Sequence, residues 1–144
     1  MKISEILNSI FFPRKTEYNS DEKDYLVHVD KNVNVGIRMF IASNNSPTIL
    51  FFHANAEITH EYDDIAQMYN KYNINFIVSG YRGYGLSNGQ PSMDTSLEDS
   101  LKIFDFVLDH LKSLKNKNHL VVMGRSLGST SASHLMQMYY QEIF

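Results

Sequence analysis

Leu120-Val121-Val122-Met123-Gly124-Arg125-Ser126-Leu127-Gly128 decides how this chain is read. Four apolar residues without a polar break read as a short strand buried on both faces. The chain from Ser126 onward reads as a helix running to residue 144, so the strand must reverse within two or three residues. A strand, a tight turn and a helix lift a serine above the sheet with its hydroxyl in the open. Glycines at 124 and 128 remove side chains that such a turn would not accommodate. The helix start leaves backbone N–H groups unpaired beside the serine, where developing negative charge is stabilised.

Working outward, residues 48–52 and 74–78 are two more short apolar runs and predict two more buried strands. Between them, residues 57–72 place Ile58, Tyr62, Ile65, Ala66 and Tyr69 on one helical face. Residues 80–92 carry Gly80, Gly83, Gly85, Asn88-Gly89 and Pro91 and read as a loop. Residues 96–114 form the clearest helix, with a stripe of Leu97, Leu101, Phe104, Leu108 and Leu111. Upstream, residues 25–29 and 33–42 are β-rich and flank Asp30-Lys31-Asn32, which predicts an antiparallel hairpin. A hairpin followed by strands alternating with helices gives an α/β three-layer sandwich with a parallel sheet and right-handed crossovers. The organisation expected is an N-terminal amphipathic segment, residues 1–24, and one domain, residues 25–144.

Composition excludes several function classes. The chain has 144 residues, 43% hydrophobic and 20% charged, which suits one globular domain and argues against disorder. A net charge of −3 gives no basic field, so no nucleic-acid partner is expected. Cysteine is absent, which removes disulfides, thiolate metal sites and cysteine nucleophiles. His60-Glu61 with Asp63 and Asp64 lacks the His-Glu-x-x-His spacing and reads as a solvated first helical turn, so no metal is expected. Gly80, Gly83 and Gly85 have the wrong spacing for a nucleotide loop. Asp94, Glu98, Asp99, Asp105 and Asp109 read as the solvated face of their helix, and Met136 and Met138 as packing residues. Ile3, Ile6, Leu7 and Ile10 recur at helical spacing ahead of Pro13. Two readings stand open: a helix lying on the domain, or a peripheral membrane foot with Phe11 and Phe12 beside Arg14 and Lys15. The first twelve residues make a poor signal-peptide core, so the expected location is the cytoplasm, membrane-peripheral if the foot is real.

Two further segments turn the elbow into a family resemblance. Phe51-Phe52-His53-Ala54-Asn55-Ala56-Glu57 ends the first buried strand, and Tyr81-Arg82-Gly83-Tyr84-Gly85-Leu86-Ser87 with Gly89-Gln90-Pro91-Ser92 comes after the second. With Gly124 to Ser129, they resemble the α/β-hydrolase superfamily, in particular bacterial relatives of the ABHD17 and ABHD13 serine hydrolases. The resemblance runs from about Tyr25 to the end of the chain. It implies Ser126 as nucleophile, the backbone N–H groups of Leu127 and Asn55 as oxyanion donors, and His53 as a residue that shapes its loop. It implies no cofactor, and a small acyl substrate or an acylated protein as partner, attacked at an ester, thioester or amide.

The sequence departs from the family in three places. Ala54 stands where the family has Gly, so a positive φ there would be strained. Gly80 stands where an acidic or amide residue is usual. The family's acid and base come after the nucleophile, yet residues 127–144 contain no Asp and only His134, about 12 Å down the same helix. His119 and His110 lie at the wrong ends of their elements, and His60 is a poor candidate on the first helix. No catalytic acid or base is therefore assigned within the chain. The domain reads as an α/β-hydrolase fold truncated after the nucleophile-elbow helix, with residues 120–123 as an apolar edge open to self-association. The alternative function is a catalytically inactive remnant or interaction module that keeps the scaffold.

Overall fold

The computed structural model describes residues 2–143, with side chains for all but 4, 7 and 140–143. Five strands form one mixed sheet: β1 (Asp24–Asp30), β2 (Val33–Phe40), β3 (Thr48–Phe52), β4 (Asn75–Ser79) and β5 (Leu120–Gly124), in the order β1-β2-β4-β3-β5. β1 and β2 are the expected antiparallel hairpin, turned by Asn32 at φ +57°, a conformation asparagine tolerates better than most residues. β2 meets β4 antiparallel, while β3 runs parallel to both β4 and β5. The parallel sheet expected from the apolar runs is therefore the β4-β3-β5 half. All five residues of β3 and of β4 are buried, as two-sided burial requires.

Helices cover both faces, which makes three layers. On one face Phe40, Ile49, Phe51, Phe76 and Val78 pack with Tyr62 and Ala66 under α2 (Asp63–Lys71). On the other, Val35, Ile37, Leu50, Phe52 and Ile77 pack with Ile103, Val107 and Leu111 of α3 (Met93–Ser113) and Leu135 of α4 (Gly128–Ile143). Each such side chain contributes roughly 1.5–3 kcal/mol when fully buried. A six-residue α1 (Ile3–Asn8) precedes the sheet. Among the described residues no helix is long and apolar enough to cross a membrane.

Several local expectations shift. The helix expected from residue 57 starts as a 3₁₀ turn, Thr59–Tyr62, and becomes α-helical only at Asp63. That tighter turn advances the phase of α2, leaving Ile65 44% exposed instead of in the buried stripe. In α3 the buried line is Ser96, Ser100, Ile103, Val107 and Leu111, and the expected leucine stripe, apart from Leu111, flanks it half-buried. Ser96 and Ser100 bury cheaply because their hydroxyls donate to the carbonyls of Ser92 and Leu97. Asp99 is not solvated: it is 3% exposed and accepts both Nε–H and Nη2–H of Arg82, at 2.7 and 2.8 Å. Asp63 likewise accepts twice from the buried Arg38 guanidinium. Met136 and Met138 are surface residues, 66% and 39% exposed.

Candidate active site

Because β3, β4 and β5 are parallel, their carboxyl ends lie on one edge of the sheet, and the three motif segments all leave from there. β3 and β5 are neighbours with Phe52 opposite Gly124, so the His53–Glu57 segment and the elbow start side by side.

The elbow has the geometry its spacing predicts. Ser126 sits at φ +51°, a left-handed conformation that costs a non-glycine residue on the order of 1 kcal/mol. A Cβ on Gly124 would lie 2.2 Å from the Gly128 carbonyl oxygen, and one on Gly128 would lie 2.0 Å from the Phe52 oxygen. Both glycines are therefore obligatory: the start of α4 is pressed against the ends of β5 and β3. The Arg125 N–H donates to the Phe52 carbonyl at 3.1 Å, locking the turn to β3. The N–H groups of Gly128 and Ser129 are taken by the carbonyls of Arg125 and Ser126. The Leu127 N–H, one residue before Gly128, has no partner among the described residues.

The second segment is built around two side chains. His53 is fully buried, with Nδ1 2.7 Å from the Ala54 carbonyl. That contact puts the proton on Nδ1. Burial lowers the ring's pKa below the ordinary histidine value. The Tyr81 hydroxyl donates to the His53 carbonyl at 2.6 Å. Glu57 accepts the Ala54 N–H at 2.8 Å and the Tyr62 hydroxyl at 2.6 Å, and its other oxygen pairs with Arg125 of the elbow. Burial and the Glu57 carboxylate push the Tyr62 hydroxyl up to about 12. The left-handed residue of this segment is Ala56, at φ +60°, so the alanine at 54 carries no such strain. The Asn55 side-chain oxygen accepts from the Phe12 N–H, the Tyr84 hydroxyl and the Ala56 N–H, and its amide nitrogen donates to the Ile10 carbonyl. The Asn55 backbone N–H has no partner among the described residues.

The glycine-rich loop shapes the same region without chemistry of its own. Arg82 is anchored to Asp99 and reaches Asp30. Gly83, Gly85 and Gly89 take positive φ. The acidic or amide residue of the resemblance would be tight at Gly80, since a Cβ would stand 3.0 Å from the Gly36 oxygen and the β2 backbone would have to give. Tyr81 and Tyr84 join Phe11 and Leu127 in a small buried cluster.

No histidine is hydrogen-bonded to the Ser126 hydroxyl among the described residues. His60 stacks on Tyr18 and lies 3.3 Å from Asp24 of β1, at the far edge of the sheet. Four strand spacings separate β1 from β5, about 19 Å, so His60 does not serve Ser126. A hollow of about 480 Å³ beside His60 is lined by Asp21, Arg38, Glu61 and Asp63, and neither Ser126 nor another elbow residue lines it. His110 packs edge-on against Tyr25, and His119 precedes the first residue of β5. No group of three or more potential ligands could hold a metal ion among the described residues. Sequence reasoning missed Glu57, Asp99 and Phe11. In the sequence Glu57 stands out only as the last residue of its segment, Asp99 only as one acid of a helix face read as solvated, and Phe11 only as part of the membrane-foot reading.

Residues 43–144, well over half of the chain, match the family model described as Serine aminopeptidase, S33. The chain is 29% identical over 124 residues to Protein bem46 of Schizosaccharomyces pombe, covering 83% of this chain and 41% of that protein. It is 39% identical over 95 residues to the alpha/beta hydrolase domain-containing protein WAV2 of Arabidopsis thaliana, covering 64% and 29%. Its fold is similar to that of Est1E from Butyrivibrio proteoclasticus, with a TM-score of 0.66 at 16% identity over 79% of this chain and 48% of that one. It is also similar to the Pyrococcus furiosus esterase Pf2001, with a TM-score of 0.64 at 20% identity, covering 83% and 50%. The chain thus spans less than half the length of these two curated relatives. Elbow, strand order and family match agree: the chain belongs to the α/β-hydrolase family described as Serine aminopeptidase, S33.

Proposed function

We propose that this chain carries the nucleophile half of a serine hydrolase acting on acyl esters, thioesters or amides. The carrying observation is Ser126 at φ +51° between β5 and α4, in a turn that admits nothing but glycine at 124 and 128. Left-handed strain at a polar residue persists only where its surroundings impose it, and it concentrates at reactive sites. The Ser126 hydroxyl attacks the substrate carbonyl, the leaving alcohol, thiol or amine departs with a proton, and water hydrolyses the acyl-enzyme. The unpartnered N–H groups of Leu127 and Asn55 receive the oxyanion. The general base and its acid come from residues outside those described. The substrate is a small acyl compound or an acylated protein, met in the cytoplasm or at its membrane surface.

Intact mass after exposure to a fluorophosphonate tests this, with Ser126→Ala alongside. The expected result is one adduct on the wild type and none on the variant. Labelling should run roughly 10⁶-fold slower than with a complete triad, because loss of the histidine base alone costs about that much. A folded chain that gains no adduct on prolonged exposure would overturn the nucleophile assignment. The second reading, a scaffold that keeps the elbow for binding alone, would then stand; the lack of a base beside Ser126 favours it.

A further inference from the structure

The two oxyanion donors sit on separate segments that leave different strands, and both must aim at one oxygen atom. Something has to fix one segment against the other. The Arg125 N–H to Phe52 bond and the Glu57–Arg125 pair do part of this, although the Arg125 side chain is 63% exposed. The remaining link comes from the N-terminal segment. Ile10 and Phe12 bracket Phe11, and both are bound by the same side chain: the Asn55 amide donates to the Ile10 carbonyl and accepts the Phe12 N–H at 3.0 Å. A side-chain amide that gives one donor and one acceptor grips the backbone at two points, as a neighbouring strand would. Ile10 and Phe12 are 38% and 62% exposed, whereas Phe11 between them is 7% exposed and packs in the cluster with Leu127, Tyr81 and Tyr84. Beyond Phe12, the Arg14 guanidinium donates to the Ala56 carbonyl at 2.8 Å, directly on the left-handed residue. The Arg14 carbonyl accepts from Gly85 at 2.7 Å.

We propose that residues 10–14 are a strap that sets the oxyanion hole, with Phe11 the positioning residue for Leu127 and the Asn55 amide its anchor. The proposal rests on the serine-hydrolase reading for its catalytic consequence, not for its structural content. The strap reaches both donor-bearing residues at once: Asn55 through its side chain, Leu127 through the buried cluster that Phe11 and Leu127 share with Tyr81 and Tyr84. It also braces Ala56 in a conformation alanine would otherwise leave. Asparagine at 55 is required for its side chain, because aspartate would offer Ile10 no donor.

The test compares wild type, Phe11→Ala, Phe11→Leu and Asn55→Asp in the full chain. Hydrogen exchange is read at the bonded amides of Ala54, Arg125 and Gly128, which flank the two donors. Fluorophosphonate labelling gives kinact and KI separately. In Phe11→Ala and Asn55→Asp, exchange at all three amides should rise at least about tenfold, while amides of β3 and β4 hold, since the strap is a local unit. kinact should fall roughly tenfold with KI unchanged, less than the 10²–10³ lost when a donor is removed outright. Phe11→Leu should recover most of both, because an apolar side chain of similar reach restores the contact. Unchanged exchange at the elbow amides in Phe11→Ala overturns the strap. Raised exchange with an unchanged kinact overturns its positioning role. If the wild type is never labelled, the serine-hydrolase reading fails by itself, and the exchange result alone still decides the strap.

Discussion

Along its inner side β5 pairs residue for residue with β3, from Thr48 opposite Leu120 to Phe52 opposite Gly124. Along its outer side no strand pairs with it among the described residues, and Val121 is 48% exposed. The inner side also holds the contacts that define the elbow: Gly128 against the Phe52 carbonyl, the Arg125 N–H on the same oxygen, and the Glu57–Arg125 pair. The outer side offers a shallow apolar hollow of about 330 Å³ between Phe104, Leu120, Val122, Leu135 and Tyr139. The difference separates two tasks that the proposed nucleophile, Ser126, needs done. Neighbours already present fix its geometry; among the described residues, neither side supplies a base to activate it.

The largest effect should come from breaking the inner side. In Gly128→Ala the new methyl would meet the Phe52 carbonyl at 2.0 Å, so α4 must move off β3. Overpacking of this kind costs about 3 kcal/mol or more when backbone is the obstacle. Urea unfolding should show that loss, and fluorophosphonate labelling of Ser126 should vanish even where the variant remains folded. Wild-type stability in this variant would mean that β3 does not clamp the elbow.

A subtler break uses pH. His53 closes the inner side at the end of β3, and burial holds its pKa below the ordinary value. The ring is therefore neutral in the fold, while in the unfolded chain it takes a proton as pH falls through about 6.5. The unfolded state binds more protons in that window, so stability falls as pH falls, by up to about 1.4 kcal/mol per pH unit per proton. His110, whose pKa burial also lowers, adds to the same slope. Stability measured from pH 7 down to 5 should therefore decline, and His53→Gln should decline less steeply than wild type. Equal slopes would show that water reaches His53. The carboxylates of Asp21 and Asp30 act in a lower window. Hydrogen bonds from Arg38 to Asp21, and from the Lys31 N–H and Arg82 to Asp30, hold both pKa values down, so their stabilisation is lost only as pH falls below about 4.

Legibility in the sequence divides along similar lines. β3 and β4 could be read because burial on both faces leaves an unbroken apolar run, and the elbow because its glycine spacing answers a steric demand within five residues. The faces of α2 and α3 were harder. A 3₁₀ entry moved Ile65 out of phase, and two serines that satisfy themselves on their own helix took central positions in α3 where leucines looked the better choice. The charge partners were not legible at all. Arg82 finds Asp99 seventeen residues on, and Arg125 finds Glu57 across 68. No periodicity encodes such pairings, because an acidic residue on a helix face looks the same whether water or a guanidinium awaits it.

The smallest effect on stability should come from the outer side. Val121→Lys places a charge on an edge strand with no outer partner among the described residues; the half-exposed side chain loses little packing and the ammonium can reach water. Exposed substitutions of this kind change stability by no more than about 0.5 kcal/mol. The change should be visible in association instead. An uncovered apolar edge strand invites pairing with another chain, and lysine on such an edge opposes it. Sedimentation velocity across a concentration series should show the wild type self-associating and Val121→Lys remaining monomeric, at equal urea midpoints. A marked loss of stability in the variant would place a covering element on β5 and remove the asymmetry. Equal stability with unchanged association would assign the self-contact to another surface, and the exposed isoleucines of α1, Ile3 and Ile6, would be the next to substitute.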